Sequence, residues 1–254
     1  MQNQSSTSLN KFISQTGFCS RREADKLLEQ GRVTVNGNIG KPGNRVIDND
    51  EILVDGLPLK LKEKTIYIAF NKPVGTSSTT DIKDKYNIIN YINHPLRIFP
   101  IGRLDKASEG LIFLTNDGDI VNKILRAGNN HEKEYIVTVD KSVSAEFIKK
   151  MGNGIKILDT VTQKCFVKQE SKFIFRIILT QGLNRQIRRM CEVLNYKVTR
   201  LVRIRIMNIT LAGISVGKWR YLTATEINGI NKLVANSIKT EEASVLESNS
   251  QNYE

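Results

Sequence analysis

The run Phe99-Pro100-Ile101-Gly102-Arg103-Leu104-Asp105-Lys106 leads through Ala107-Ser108-Glu109 into Gly110-Leu111-Ile112-Phe113-Leu114, and then into Thr115-Asn116-Asp117-Gly118. A short apolar run between a glycine and a polar turn reads as a buried strand. The glycine, arginine and carboxylate ahead of it read as a loop that presents charge at the edge of a sheet. Any fold for this chain must therefore bury residues 110–114 and leave Arg103 and Asp105 at the strand's entrance.

The rest of the chain supplies a sheet for that strand. Ile66 to Phe70, Tyr135 to Val139, Phe173 to Leu179 and Val198 to Met207 read as strands, and the third alternates cleanly between apolar and other positions. Ile120, Val121, Ile124 and Leu125 mark a helix. Ile187, Met190, Cys191 and Leu194 mark another, which Asn184 is expected to cap. The fold class is α+β, a mixed, largely antiparallel sheet with flanking helices over residues 66–235.

A smaller module precedes it. Leu9, Phe12 and Ile13 fall at helical spacing, and Gly17 breaks that helix. Ser20 opens a second helix, with Glu23 completing a capping box and Ala24, Leu27 and Leu28 forming its apolar stripe. Residues 32–35 and 51–54 read as strands, with Asn36-Gly37 as a tight hairpin turn. This helical and β-hairpin module spans residues 9–56. Residues 57–65 read as a linker, residues 1–8 as a disordered start and residues 236–254 as a disordered acidic tail.

Charge narrows the partner. Lys and Arg number 38 against 26 Asp and Glu, a net charge of +12. The last 19 residues hold one Lys and four Glu, so 37 basic residues face 22 acidic ones in the rest. Such a balance favours a polyanion. Cys19, Cys165 and Cys191 are scattered and read as reduced core residues. With only His94 and His131, no zinc cluster of familiar spacing can be assembled. There is no apolar run of membrane-spanning length and no signal-peptide core at residues 1–8. The expectation is a cytoplasmic monomer without a metal or other cofactor.

Two sets of motifs resemble known families. Leu9 to Ser14, Cys19 to Leu28 and Gly31 to Gly37 resemble the ribosomal-protein S-four-like RNA-binding domain. The resemblance implies that Arg21, Arg22 and Lys26, opposite the apolar stripe, meet RNA phosphates and position the chain without reading bases. Taken alone, the same residues are a solvated helix face in which Glu23 and Asp25 offset part of the charge.

Lys72-Pro73-Val74-Gly75, Gly102-Arg103-Leu104-Asp105, His131-Glu132-Lys133-Glu134-Tyr135 and Gln181 to Met190 resemble, in that order, the pseudouridine synthases. The similarity is to the branch that modifies ribosomal RNA and carries an S-four-like domain in front. Phe99 to Lys106 and Leu125 to Tyr135 are similar in detail to its large-subunit (23S) F type. The resemblance implies isomerisation of a uridine in 23S ribosomal RNA, with a tRNA anticodon loop as a further substrate, and no cofactor.

It also implies roles for residues. Asp105 is the reactive carboxylate; it can trap the sugar or the ring, or remove a sugar proton. Tyr135 stacks on the target base, and Arg188 pairs with Asp105. Arg103 fills the gap left by the flipped uridine. Lys72, Gly75, Arg185 and Gln186 shape the substrate pocket. Apart from the resemblance, the charge pattern itself reads as a track for the RNA backbone: Arg185, Arg188, Arg189, Lys197, Arg200, Arg203 and Arg205 stand against one acid, Glu192, with Arg203 and Arg205 on one face of a strand. Some of these charges are solvated surface. Each has a plainer reading: Asp105 as a turn residue, Tyr135 as a half-buried strand tyrosine, Arg188 as a solvent-facing helix arginine. A non-catalytic RNA-binding assembly factor and a metal-dependent nuclease are the competing functions.

Overall fold

The computed structural model describes residues 6–59, 64–125, 130–235 and 237. The chain divides into two compact units, one of residues 1–66 with 94–98, the other of residues 67–93 with 99–254. The expectations for residues 1–5, for 60–63 of the linker, for Arg126 to Asn129 of the matched motif, and for the tail apart from Ser237, lie outside the described residues.

In the first unit, helices α1 (Leu9–Gln15) and α2 (Arg21–Glu29) pack on strands β2 (Val33–Val35), β3 (Asn38–Ile39), β5 (Ile52–Val54) and β6 (Leu57–Pro58), ordered β3-β2-β5-β6. The start of α2 is fixed by its capping box. Ser20 Oγ accepts from the Glu23 N–H, and a Glu23 carboxylate oxygen accepts from the Ser20 N–H at 2.7 Å. Asn36 and Gly37 both have positive φ, the mirror-image turn that matches strand twist. Leu9, Ile13, Ala24, Leu28, Val33, Val46, Ile52 and Val54 form the core.

Two expectations at the edges of this unit change. Leu57–Pro58 is a strand of the sheet: Asp55 and Gly56 form a second positive-φ turn that folds it back on β5. Thr7–Ser8 (β1) pairs with Arg45–Val46 (β4). The Leu9 N–H also donates to the Asn44 carbonyl.

The second unit is built on a nine-stranded sheet. Its main path joins β13 (Phe166–Ser171), β14 (Ile174–Leu179), β10 (Lys133–Val139), β15 (Val198–Ile206), β9 (Glu109–Thr115), β7 (Tyr67–Lys72) and β17 (Trp219–Tyr221). β8 (Phe99–Ile101) adds to β9 and β16 (Ile209–Thr210) to β15. The one parallel contact among these pairs, β15 to β9, lies at the centre. Leu111, Ile112, Phe113 and Leu114 are all buried, so β9 is covered on both faces.

Helices α4 (Asp119–Leu125) and α7 (Ala224–Val234) supply Ile120, Ile124, Ile230 and Val234 to the core that includes Leu111 and Phe113. Truncating Phe113 to alanine would cost about 3–5 kcal/mol. Elsewhere α5 (Ala145–Gly152) sets Phe147 edge-on to Phe175 at 5.2 Å. The short α3 (Ile88–Ile92) and the two-stranded β11 (Lys156–Ile157) with β12 (Thr160–Val161) complete the unit with α6 (Gln186–Val193).

Burial raises the Cys191 thiol to about 12 and the Cys165 thiol to about 11, which keeps both protonated and unreactive. Among the described residues no helix is long and apolar enough to cross a membrane.

Candidate active site

A cavity of about 840 Å³ opens in the second unit. Its walls are the loop 102–108, residues 77–79, and the loop 181–185 with the start of α6. Its floor is made by Lys133 and Tyr135 of β10, Leu179 of β14, and Leu201 and Arg203 of β15. The size suits a nucleotide rather than an extended chain.

Asp105 is carried by the loop between β8 and β9, and the loop is held from three sides. Gly102 has φ +78°, a left-handed backbone that glycine adopts without strain, and a Cβ there would lie 2.8 Å from the tip of the Leu125 side chain. The Ser78 hydroxyl donates to the Leu104 carbonyl and accepts from the Leu104 N–H. The Gly75 N–H donates to the Lys106 carbonyl at 2.8 Å. A carboxylate on a loop so tied has little freedom to leave its position.

Two arginines face that carboxylate. Arg185 Nη1 lies 3.6 Å and Arg188 Nε 3.8 Å from the same Asp105 oxygen. Both distances are too long for hydrogen bonds and short enough for strong attraction in a partly closed site. Arg188 is 9% exposed. It donates through Nη1 to the Val198 carbonyl and through Nη2 to the Ala107 carbonyl and Ser108 hydroxyl. It therefore joins α6, the Asp105 loop and β15. Desolvation, with Arg185 nearby, lowers its pKa, while Asp105 opposes that shift. The solvent-facing reading of Arg188 does not hold.

The start of α6 differs from expectation. Asn184 does not cap it: Arg185 is the capping residue, with φ +50° and ψ +34°, and makes no side-chain cap bond. A left-handed backbone at a non-glycine residue is held at a cost of order 1–3 kcal/mol and recurs at functional sites. Here it accompanies the placement of Arg185 beside Asp105. Asn184 instead accepts from the Arg189 guanidinium through its side-chain and backbone oxygens.

The cavity brings together Arg103, Asp105, Tyr135, Arg185, Gln186, Arg188 and Arg203. Other expected site residues stand apart from it. Lys72 is fully buried beneath the 73–76 turn, where its ammonium donates to the Pro73 and Thr76 carbonyls. Lys72 and Gly75 thus support the Asp105 loop without lining the cavity. Gln186 is committed to its own loop, accepting from the Leu183 N–H and donating to the Gln181 side chain.

The expected basic track also changes. Arg200 pairs with Glu109 at 2.5 Å. Arg205 pairs with Glu132 and Glu134, and Arg176 meets Glu134 as well. Arg203 is only 4% exposed, with its Nε donating to the Leu111 carbonyl at 2.6 Å. Arg203 is the register partner of Tyr135 and Arg205 that of Glu134, so the two lie on opposite faces of the sheet rather than on one, while the Arg200 side chain remains 65% exposed. Arg21, Arg22 and Lys26 are exposed on α2 of the first unit, as expected.

Sequence reasoning missed Ser78, Ser108 and Lys133. Lys133 sits two residues before Tyr135 on one strand, hence on the same face, and that period-two relation was available as a signal. Its ammonium donates to the His131 and Thr180 carbonyls, and burial, with Arg203 nearby, lowers its pKa to about 8. No comparable pattern marks the two serines.

A loop-borne carboxylate flanked by cations, over a floor with a tyrosine, suits chemistry on a sugar or an electron-poor ring. Comparison with known proteins assigns the family. The profile described as RNA pseudouridylate synthase matches residues 66–193, and that described as S4 domain matches residues 7–52. The chain is 57% identical over 234 residues to the dual-specificity RNA pseudouridine synthase RluF of Salmonella typhi, covering 91% of this chain and 81% of that protein. It is 33% identical over 234 residues to the ribosomal large subunit pseudouridine synthase B of Bacillus subtilis, covering 89% and 96%. A crystal structure of a pseudouridylate synthase superposes with a TM-score of 0.65 at 29% identity, covering 88% of this chain and 99% of that one. The chain therefore belongs to the RNA pseudouridylate synthase family, as an RluF-like enzyme with an S4 domain ahead of its catalytic domain.

Proposed function

We propose that this enzyme converts a uridine of 23S ribosomal RNA to pseudouridine, and a second uridine in a tRNA anticodon loop, with Asp105 as the reactive group. The reading has the protein acting as a cytoplasmic monomer and needing no cofactor, because the overall change is an isomerisation. Uracil leaves its bond to ribose through nitrogen 1, turns, and rejoins the sugar through carbon 5.

The observation that carries the reading is the position of Asp105. Its carboxylate faces the cavity within 4 Å of both Arg185 and Arg188. The two guanidiniums hold the carboxylate where it can attack the nucleotide or remove a ribose proton. Tyr135 on the floor offers a ring against which uracil can stack. Arg103, exposed at the cavity's rim, suits the base gap left when the uridine is extruded, a movement costing a few kcal/mol. Arg21, Arg22 and Lys26 of the S4 domain hold the RNA by its phosphates. The dual-specificity name of the RluF relatives and the large-subunit name of the Bacillus subtilis protein support the choice of RNA.

The test is to map pseudouridine in total RNA from cells with and without the gene. One site lost from 23S RNA and one from a tRNA is the expected result. An unchanged 23S map would overturn the assignment of substrate while leaving the family untouched.

A further inference from the structure

The cavity floor carries more positive charge than the pairing with Asp105 uses. Lys133 and Arg203 are 7% and 4% exposed, and Tyr135 stands with them. Tyr135 and Arg203 are register partners on β10 and β15, so their side chains share a face. Neither Lys133 nor Arg203 forms an ion pair with a carboxylate among the described residues. Lys133 spends two donors on backbone carbonyls. Arg203 spends Nε on Leu111, and its Nη2 is buried with no hydrogen-bond partner. Buried guanidinium donors are costly to leave unpaired, and because Arg203 lines the cavity, a ligand bound there can supply the missing acceptor with a small shift of the guanidinium.

We infer that Arg203, with Lys133 beside it, binds the target uracil through a ring carbonyl and stabilises the negative charge that uracil gains during isomerisation. The inference rests on Asp105 as the reactive group. If Asp105 bonds to the ribose or removes a ribose proton, the bond between ribose carbon 1′ and uracil nitrogen 1 breaks. Both of its electrons leave with uracil, and the anion's charge spreads onto its two carbonyl oxygens. If Asp105 adds to the ring instead, the displaced pair also comes to rest on a carbonyl oxygen. A fixed cation at that oxygen lowers the barrier in each case and transfers no proton, since a guanidinium keeps its own. The later bond from carbon 5 to carbon 1′ consumes that charge as Asp105 is released, its bond to the ribose or ring breaking or its proton returning to the ribose. Carbon 5 then gives its proton to solvent and nitrogen 1 takes one up, so the change is an isomerisation overall.

The alternative acceptor is a phosphate of the same RNA. Depth argues for the base. Arg103, Lys106 and Arg185 are exposed where a backbone would lie, whereas Arg203 is beneath the cavity beside an aromatic ring. A strongly hydrated phosphate would have to shed its water to reach it.

The test pairs a side-chain change with an atom change in the substrate. Wild-type enzyme, Arg203→Gln and Arg203→Lys are each assayed on a short RNA carrying uridine, 2-thiouridine or 4-thiouridine at a mapped target position. Products are read by nucleoside chromatography. Arg203→Gln is expected to lower kcat about 100-fold, as loss of an oxyanion donor does, with KM moving less than about threefold. Arg203→Lys should recover part of kcat. Sulfur accepts hydrogen bonds weakly, so at one of the two thio positions the thio-to-oxo rate ratio should be at least about tenfold higher in Arg203→Gln than in wild type. Thio-to-oxo ratios equal in wild type and variant would overturn the inference, as would a raised KM with kcat unchanged. If thermal melting shows that Arg203→Gln does not fold, the same ratios in Arg203→Lys decide. Wild-type turnover on uridine RNA, lost in Asp105→Asn, checks separately the reading on which the inference rests.

Discussion

Gly110 lies flat against Arg203. The two pair across the parallel contact of β9 and β15, and a Cβ on Gly110 would fall 2.3 Å from the Arg203 carbonyl oxygen. Gly110 also has φ +110°, a region that side chains disfavour. The loop bearing Asp105 and the strand bearing Arg203 are thus joined where no side chain fits. Gly110→Ala should destabilise the enzyme by about 2–3 kcal/mol and lower turnover, because the strands must part to admit the methyl group. Urea denaturation checks the first effect and tritium release from carbon 5 of uridine the second. A neutral substitution would contradict the close approach.

The arginines of α6 should separate by position. Arg188 joins the Asp105 loop to β15, Arg185 approaches the carboxylate from the rim, and Arg189 is tied to Asn184. Arg188→Met should lower kcat by about 100-fold or more, Arg185→Met by less, and Arg189→Met by under about threefold. Steady-state kinetics on one RNA checks the order. Equal losses at all three would show that this helix supplies only general charge.

Much of this site was legible in residues 99–114, since a loop between a glycine and a buried strand can be read from local pattern. The Ser20–Glu23 box and the Asn36–Gly37 turn were legible because their signals lie within four residues. Arg203 was misread for a reason that periodicity cannot reveal. The β10–β15 ladder shifts register between Glu134 and Tyr135, and buried groups occupy both faces of β15, so alternation does not tell solvent from cavity. Asn184 drew the capping assignment because asparagine is a good cap, whereas the observed left-handed Arg185 follows from the loop's tertiary contacts. Two-residue strands such as Thr7–Ser8 are too short to carry a period.

Lys72 and Lys133 make stability depend on pH. Burial lowers each to about 8 from an unfolded value of 10.5. Below about pH 8 both states hold the proton and these lysines contribute no slope. Between about 8 and 10.5 the unfolded chain binds more protons, so unfolding free energy rises with pH, by up to roughly 3 kcal/mol per lysine. Lys133→Met should flatten that rise. Urea titrations from pH 7.5 to 10.5, about the range concerned, measure it. An identical slope in wild type and Lys133→Met would contradict the burial cost.

The S4 domain should govern affinity rather than rate. Neutralising Arg21, Arg22 and Lys26 together should weaken RNA binding and reduce the salt slope by roughly 0.7 per lost phosphate contact. The rate at saturating RNA should change little. Unchanged affinity with a collapsed saturated rate would place these residues in the chemistry.

The measurement that tests the account most directly is tritium release from carbon 5 of uridine in ribosomal RNA by Asp105→Asn, run beside an RNA-binding titration. The substitution keeps the shape of the side chain and removes the carboxylate, while Tyr135, Arg188 and Arg203 remain in the cavity. The account predicts no detectable release and binding at least as tight as wild type, since a negative charge beside RNA is lost. Continued turnover by Asp105→Asn would contradict it.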